Sequence, residues 1–126
     1  MLMQKLIWLA IAGACGTLAR YGLGGAVHRW LGSGFPWGTA FVNIIGCLLF
    51  GIVWAAAGER SAMSPELRTI ILVGFMGAFT TFSTFISESS QLFSASEFFL
   101  GMGNIVFQLV VAVSVFYLGL AIGRTI

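Results

Sequence analysis

The chain has 126 residues, of which 59% are hydrophobic and only 8% are charged, and its formal net charge is +2. This composition excludes an ordinary soluble domain, in which about a quarter of the residues are charged. A net charge this small does not indicate a nucleic-acid partner. Charged residues are absent between Arg29 and Glu59, between Arg68 and Glu88, and between Glu97 and Arg124. Each gap is long enough for a helix that crosses a bilayer, which needs about 20 residues.

This spacing predicts an all-α membrane protein with four transmembrane helices in a single domain over residues 1–126. The first helix is predicted over residues 4–27 and contains many small residues, which let helices approach closely in lipid. The second helix is predicted over residues 37–57. It follows a loop of residues 28–36 that ends in a proline, the residue type suited to a helix start.

The third helix is predicted to begin at Ser64-Pro65-Glu66 and to run to about residue 93. Serine is a common cap, proline suits the first helical position, and an acidic residue in the first turn favours the helix dipole. We expect this helix to be broken, with the disturbance in residues 74–83.

The two remaining loops are short. Residues 58–65 join the second and third helices and contain Glu59 and Arg60. Residues 94–97 precede the fourth helix, which we expect to be capped by Ser96 and to end near residue 123. Gly119 and Gly123 form a G-x-x-x-G face on this helix, which is typical of close packing between membrane helices.

Lysine and arginine are nearly balanced between the two sides of the membrane. With both termini on one side, that side has Lys5, Arg60, Arg68 and Arg124, and the other side has Arg20 and Arg29. The positive-inside rule therefore gives little preference for one orientation. Because the bias is slight, we expect insertion in both orientations. Because four helices alone enclose little space, we also expect an antiparallel, dual-topology homodimer.

Nothing in the sequence indicates an enzyme. Cys15 and Cys47 both lie in apolar spans, where cysteine usually acts as a small buried hydrophobe. His28 is the only histidine, and no potential metal ligand is spaced close to it. The chain contains no nucleophile–base pair, no carboxylate pair and no cofactor-binding loop.

Residues 74–85 place glycines, hydroxyls and phenylalanines at membrane depth. Irregular or polar backbone is tolerated there only where protein or a water-filled path surrounds it. A break near Gly77 and Thr80 would free backbone carbonyls for a hard cation and would expose a half-helix N-terminus to an anion. The alternative is a continuous helix that uses glycine and threonine for packing.

Five side chains are candidates for contact with an ion. Phe82 and Phe85 are neighbours on a helix, and the positive edge of each ring could meet an anion. The amide of Asn43 could donate a hydrogen bond to the same ion. Asn104 and Gln108 are four residues apart and share a helix face. All five could instead act only in helix packing or in hydrogen bonds between helices.

Hydroxyl and charged residues extend this set. Ser83 and Thr84 could line the same path or bond back to their own helix. Arg20 lies inside the first span, and intramembrane charges are candidates for function, although an arginine near a helix end can also extend to water. Glu88 could face a vestibule with Arg20 or simply mark the end of the third helix.

Three stretches together are typical of one known family. They are Gly16 to Arg20 with Tyr21, then Pro36-Trp37-Gly38-Thr39 through Val42-Asn43 with Gly46 and Gly51, and finally Thr80-Thr81-Phe82-Ser83-Thr84-Phe85. Over essentially its whole length the chain resembles the small dual-topology fluoride channels, the Fluc/CrcB family. The resemblance implies passive export of fluoride across the bacterial inner membrane, by an antiparallel homodimer of four-helix subunits with two pores.

The resemblance also implies roles for individual residues. The implied pore residues are Asn43, Phe82 and Phe85, and Arg20 matches the helix-one arginine of the family. Asn104 and Gln108 fall where the helix-four polar track of the partner subunit should lie. The backbone carbonyls of Gly77 and Thr80, from both subunits, match a structural Na⁺ site at the dimer centre. The chain departs from the family pattern at Ala78, where a second glycine is frequent, and at Ala112 and Phe116, where hydroxyl residues often occur.

Two other classes of membrane protein share part of this pattern. A small multidrug-type exporter is also a four-helix, dual-topology dimer, but its proton coupling needs a carboxylate in the first helix. Residues 4–27 contain no Asp or Glu. A scaffold subunit that transports nothing would have apolar helix faces without a polar cluster at mid-membrane. The sequence therefore favours the fluoride channel over both.

Overall fold

The structure, a computed structural model, describes residues 1–58 and 63–126. These residues form helices and contain no strand. Four segments are long and apolar enough to cross a membrane, and their bounds are Leu2–Leu31, Trp37–Ala56, Pro65–Ser94 and Phe98–Gly123. The prediction of an all-α protein with four transmembrane helices is confirmed. The first two segments are the uninterrupted helices α1 (Leu2–Leu31) and α2 (Trp37–Ala56).

The third span is divided into several helical pieces. It consists of α3 (Pro65–Thr69), a π-helical segment (Ile70–Met76), the single turn α4 (Gly77–Phe79) and α5 (Phe82–Ser94). Thr80 and Thr81 lie between α4 and α5 in extended conformation. The predicted break is confirmed, and it falls within the predicted residues 74–83. The last span is one continuous helix, α6 (Phe98–Gly123).

Helix α1 and the third span begin differently from one another. The hydroxyl oxygen of Ser64 accepts a hydrogen bond from the N–H of Leu67 at 3.1 Å, so the predicted cap of the third span is confirmed. Helix α1 has no side-chain cap and extends beyond the predicted residues 4–27 at both ends. Glu59 and Arg60, which the sequence places in the second loop, lie outside the described residues.

The prediction that Ser96 caps the fourth helix is wrong. Residue Glu97 occupies the cap position of α6 and makes no side-chain capping bond. Ser96 has a positive φ of 62°. Its N–H donates to the carbonyl of Phe93 at 3.1 Å, and the N–H of Glu97 donates to the carbonyl of Leu92 at 2.8 Å. This pair of bonds is a Schellman motif, so Ser96 terminates α5 instead of starting α6.

The G-x-x-x-G face of the fourth helix packs closely against α2. A Cβ atom at Gly119 would collide with the carbonyl of Leu48, and one at Gly123 would collide with the carbonyl of Ile52. Such contact between backbones is available only to glycine. Helix α1 packs on the π-helical segment and on α4. The break in the third span is thereby held between α1 and the α2–α6 pair.

Candidate anion pathway

The break in the third span is a backbone feature of two residues. Thr80 has φ −82° and ψ 156°, and Thr81 has φ −147° and ψ 110°. The N–H and the hydroxyl of Thr80 both donate to the carbonyl of Met76, each at 3.0 Å, and so close the end of α4. The hydroxyl oxygen of Thr81 accepts from the N–H of Thr84 at 3.4 Å and caps α5.

Asn43 of α2 holds the backbone at this break. Its Oδ1 accepts a hydrogen bond from the N–H of Thr81 at 2.8 Å, and its Nδ2 donates to the carbonyl oxygen of the same residue at 3.0 Å. One side-chain amide therefore replaces both hydrogen bonds that Thr81 would make inside a helix. Since an unpaired peptide group at membrane depth is costly, this contact stabilises the break.

The same contacts free two carbonyl groups. In a continuous helix the carbonyl of Gly77 would accept from the N–H of Thr81, which here donates to Asn43. The carbonyl of Thr80 would likewise accept from the N–H of Thr84, which here donates to the hydroxyl of Thr81. Gly77 and Thr80, the predicted metal residues, are thus among the residues at the end of α4 whose carbonyls lose their usual helical donors.

Four polar side chains continue from the break as a hydrogen-bonded series, which we call the amide chain: Asn43, Gln108, Asn104 and Ser89. Nδ2 of Asn43 donates to Oε1 of Gln108 at 3.0 Å, and Nε2 of Gln108 donates to Oδ1 of Asn104 at 2.8 Å. Nδ2 of Asn104 donates to the hydroxyl of Ser89 at 2.9 Å, which donates to the carbonyl of Phe85 at 2.8 Å. Gln108, Asn104 and Ser89 are all buried. Three predicted site residues are therefore connected within one subunit.

A cavity of about 370 Å³ opens beside the break, and we call it the phenylalanine cavity. It is lined by Asn43, Gly46, Cys47, Phe50, Thr80, Phe82, Phe85, Gln108, Leu109, Ala112 and Phe116. The ring centroids of Phe82 and Phe85 are 5.7 Å apart, with their planes inclined at 53°. Phe85 is only 4% exposed, whereas Phe82 is 71% exposed. The cavity therefore brings together both predicted phenylalanines with two of the amides.

A larger cavity of about 630 Å³ lies between α1, α2 and α5, and we call it the vestibule. Its lining includes the charged or titratable residues Arg20, His28, Arg29 and Glu88. Oε1 of Glu88 accepts from the hydroxyl of Thr39 at 2.9 Å, and Oε2 is buried without a partner among residues 1–58 and 63–126. The two arginines give this side of the break a positive field that favours anions.

The contact between Asn43 and Thr81 connects the linings of the two cavities. Asn43 lines the phenylalanine cavity and Thr81 lines the vestibule. Thr84 also lines the vestibule, whereas Ser83 is exposed and lines neither cavity. Of the predicted residues, Gly77, Ser83 and Asn104 are the three that the structure places away from both cavities.

Comparison with known proteins identifies the family. A family model described as "CrcB-like protein, Camphor Resistance (CrcB)" matches residues 7–120. The chain belongs to the CrcB family. A relative from Solidesulfovibrio magneticus is 51% identical over 99% of this chain and 100% of its own length, and it is named "Fluoride-specific ion channel FluC".

Further members of the CrcB family carry the same name. A relative from Nitrosococcus oceani is 50% identical over 98% of each chain, and one from Nitratidesulfovibrio vulgaris is 47% identical over 98% of this chain and 100% of its own length. Both are named "Fluoride-specific ion channel FluC". The family model covers residues 7–120, which include part of each of the four spans, and these relatives match 98% or more of this chain.

Ser89 is the member of the amide chain that the sequence did not predict. It is 2% exposed and ends the amide chain on α5. The only local signal is that Ser89 follows Phe85 by four residues and so shares its helix face. Because Ser87, Glu88 and Ser90 are polar as well, that signal does not single out one residue of the run.

Proposed function

We propose that this chain forms a fluoride-selective channel that exports fluoride passively across the bacterial cell membrane. Its relatives are named as fluoride-specific ion channels, which is not an enzymatic function, and the chain has four segments able to span a membrane. A proton-coupled multidrug exporter is not supported, because α1 contains no carboxylate and the family names point elsewhere.

The observation that carries this proposal is the break in the third span, with a cavity beside it. Helix α5 begins at Phe82, so its positive N-terminal end lies at mid-span next to the phenylalanine cavity. A small anion that leaves water needs replacement donors and positive ring edges, held weakly enough for the ion to move on. Phe82 and Phe85 supply ring edges to this cavity, and the amide of Gln108 supplies a hydrogen-bond donor.

The vestibule also favours anions over cations. Arg20 and Arg29 line it and raise the local concentration of anions, while Glu88 is held by Thr39. We infer that an anion passes from the vestibule along the hydroxyl of Thr84 and reaches the cavity where Phe82 and Phe85 lie.

We further propose an antiparallel homodimer within membrane lipid. Phe82 lines the cavity and is nevertheless 71% exposed in the single subunit, so the cavity lacks a wall on that side. A second copy in the opposite orientation would place its own break against the first. The weak lysine and arginine bias of the sequence supports insertion both ways.

The breaks of two such copies fit a structural Na⁺. The carbonyls of Gly77 and Thr80 have lost their helical donors and lie at the negative C-terminal end of α4. Carbonyl oxygens are hard ligands of the kind that hard cations prefer. When bound, the cation would neutralise these dipoles and join the two subunits.

Efflux from liposomes tests the proposed function. Vesicles that contain the purified chain should release fluoride rapidly and retain chloride, with no dependence on a proton gradient. Equal release of both anions would contradict fluoride selectivity. Proton-dependent exchange of a drug would indicate an exporter instead of a channel.

A further inference from the structure

A further cavity, of about 360 Å³, lies where α1 and the third span both begin, away from the break. Its lining comes from residues 1–8 and residues 64–70, and we call it the interfacial cavity. Because two membrane-spanning segments start here, the cavity lies at the level where lipid head groups meet the hydrocarbon core. Lipid as well as water can therefore reach it.

The lining of the interfacial cavity changes from charged to apolar along the two spans. Lys5 and Glu66 both line it and lie in the first turns of their helices. Trp8 follows Lys5 by three residues and Ile70 follows Glu66 by four, so these two side chains attach about 4–6 Å further into the span. Charged groups outside and apolar groups beneath them is also the order of head group and acyl chains in a phospholipid.

The two charged side chains of this lining are unpaired within the described part of the chain. Lys5 is half-buried, and neither its ammonium nor the carboxylate of Glu66 has a hydrogen-bond or ion-pair partner among residues 1–58 and 63–126. The nearby guanidinium of Arg68 is engaged elsewhere, 4.1 Å from the ring centroid of Trp54. An ammonium that has lost part of its hydration without gaining an anion is unfavourable. The cavity can therefore bind a ligand that carries one charge of each sign.

We propose that the interfacial cavity binds the head group of a phospholipid with a primary ammonium, phosphatidylethanolamine. The phosphate binds Lys5, the ammonium donates to the carboxylate of Glu66, and the acyl chains pack on Trp8 and Ile70. Glu66 repels a lipid whose head group is only negative, such as phosphatidylglycerol. Phosphatidylcholine has no N–H to donate to Glu66. The proposal depends on the membrane spans and not on what the protein transports.

Native mass spectrometry of the wild-type protein tests this lipid preference. The protein is released from detergent micelles that contain equal amounts of phosphatidylethanolamine, phosphatidylglycerol and phosphatidylcholine. It should retain phosphatidylethanolamine roughly tenfold more than either of the others, as expected for one charge-assisted hydrogen bond. Equal retention of all three would indicate an unselective lipid shell and would overturn the proposal. Displacement of the lipid by an equal concentration of water-soluble glycerophosphoethanolamine would overturn it too, since the site would then bind a free phosphate ester.

Two variants test the charged residues. Lys5→Met and Glu66→Gln keep the side-chain length and remove the charge, so each should lower the retention of phosphatidylethanolamine about three- to tenfold. Arg124→Met and Glu97→Gln remove exposed charges outside the cavity and are the matched controls, which should bind as the wild type does. If Lys5 only extends to water, Lys5→Met will retain the lipid like the controls, and the proposal fails.

A charge reversal gives the sharpest outcome. Glu66→Lys places two cations in the lining, so the preference should move from phosphatidylethanolamine to phosphatidylglycerol, whereas Glu97→Lys should leave it unchanged. Thermal unfolding in the same micelles provides a second measurement: phosphatidylethanolamine should raise the midpoint of the wild type and not that of Lys5→Met. A folded Glu66→Lys protein that still prefers phosphatidylethanolamine would contradict the assignment.

Discussion

Two phenylalanines on one helix face have different surroundings, and this difference gives a test of the ring edges. Phe85 is 4% exposed and Phe82 is 71% exposed, yet both line the same cavity. Isoleucine in place of either would keep much apolar volume and remove the ring edge. A loss of flux at Phe82 would then point to contact with the ion or with a second copy, because that side chain is largely exposed in the single subunit.

We expect Phe82→Ile and Phe85→Ile each to lower fluoride efflux about three- to tenfold, the range that corresponds to the loss of one favourable aromatic contact. Phe85→Ile should also reduce the free energy of unfolding by about 1–3 kcal/mol because its ring is packed. Phe99→Ile, at an exposed position of α6, is the control. Efflux is measured with a fluoride electrode. Wild-type efflux rates in both variants would mean that the two rings act only in packing.

Asn43 should contribute to stability as well as to transport. Asn43→Leu preserves size but leaves the N–H and the carbonyl of Thr81 without their partner, which we expect to destabilise the fold by about 2–4 kcal/mol. Ser114→Ala is the control, since its exposed hydroxyl bonds only to its own helix at Val110. Thermal unfolding in detergent measures both. Equal midpoints for the two variants would mean that the break does not depend on Asn43.

At the scale of elements, the sequence predicted features that depend on local chemistry. The gaps between charged residues predicted the four spans, and Ser64 predicted the start of the third span. Gly119 and Gly123 predicted the packed face of α6. The break was predicted because its residue types are unusual for a membrane helix.

Features that depend on distant partners were not predictable in this way. The π-helical segment Ile70–Met76 contains ordinary apolar residues, so nothing in its pattern distinguishes it from an α-helix. The partner of Thr81 is 38 residues away in sequence, and that of Ser89 is 15 residues away. Ser96 was misplaced because serine is common at helix starts, whereas the close spacing of α5 and α6 requires a positive φ there.

The crossing of α2 against the break depends on Gly46. A Cβ atom there would collide with the methyl group of Thr80 and would lie 3.3 Å from the ring of Phe79. Gly46→Ala should therefore move α2 away from the break, lower fluoride flux and lower the unfolding midpoint. Gly103→Ala adds a Cβ that meets nothing within 4 Å, and it should stabilise α6 by about 0.5–1 kcal/mol. Equal stability and flux in the two variants would contradict this packing.

At the scale of the whole molecule, a substitution at Gly77 should affect the proposed dimer but not the fold of the single subunit. A Cβ atom at Gly77 would meet only the carbonyl of Leu72 at 3.9 Å, which is ordinary contact, so the single subunit can accept alanine. If two breaks face each other around Na⁺, that same methyl group would crowd the second copy.

We therefore expect Na⁺ to raise the unfolding midpoint of the wild-type dimer relative to a bulky organic cation, and Gly77→Ala to abolish that increase and reduce the dimer fraction. Thermal unfolding and cross-linking in detergent measure the two effects. A Gly77→Ala protein that stays dimeric and still responds to Na⁺ would argue against carbonyl ligands at this position.

The most direct measurement of the central claim is the reversal potential of the current in a planar bilayer, with fluoride and chloride gradients set in opposite directions. A passive fluoride channel predicts that the potential follows the fluoride gradient and does not move when the chloride or proton gradient is changed. A reversal potential that follows chloride or protons, or the absence of any current with folded protein in the bilayer, would contradict the account.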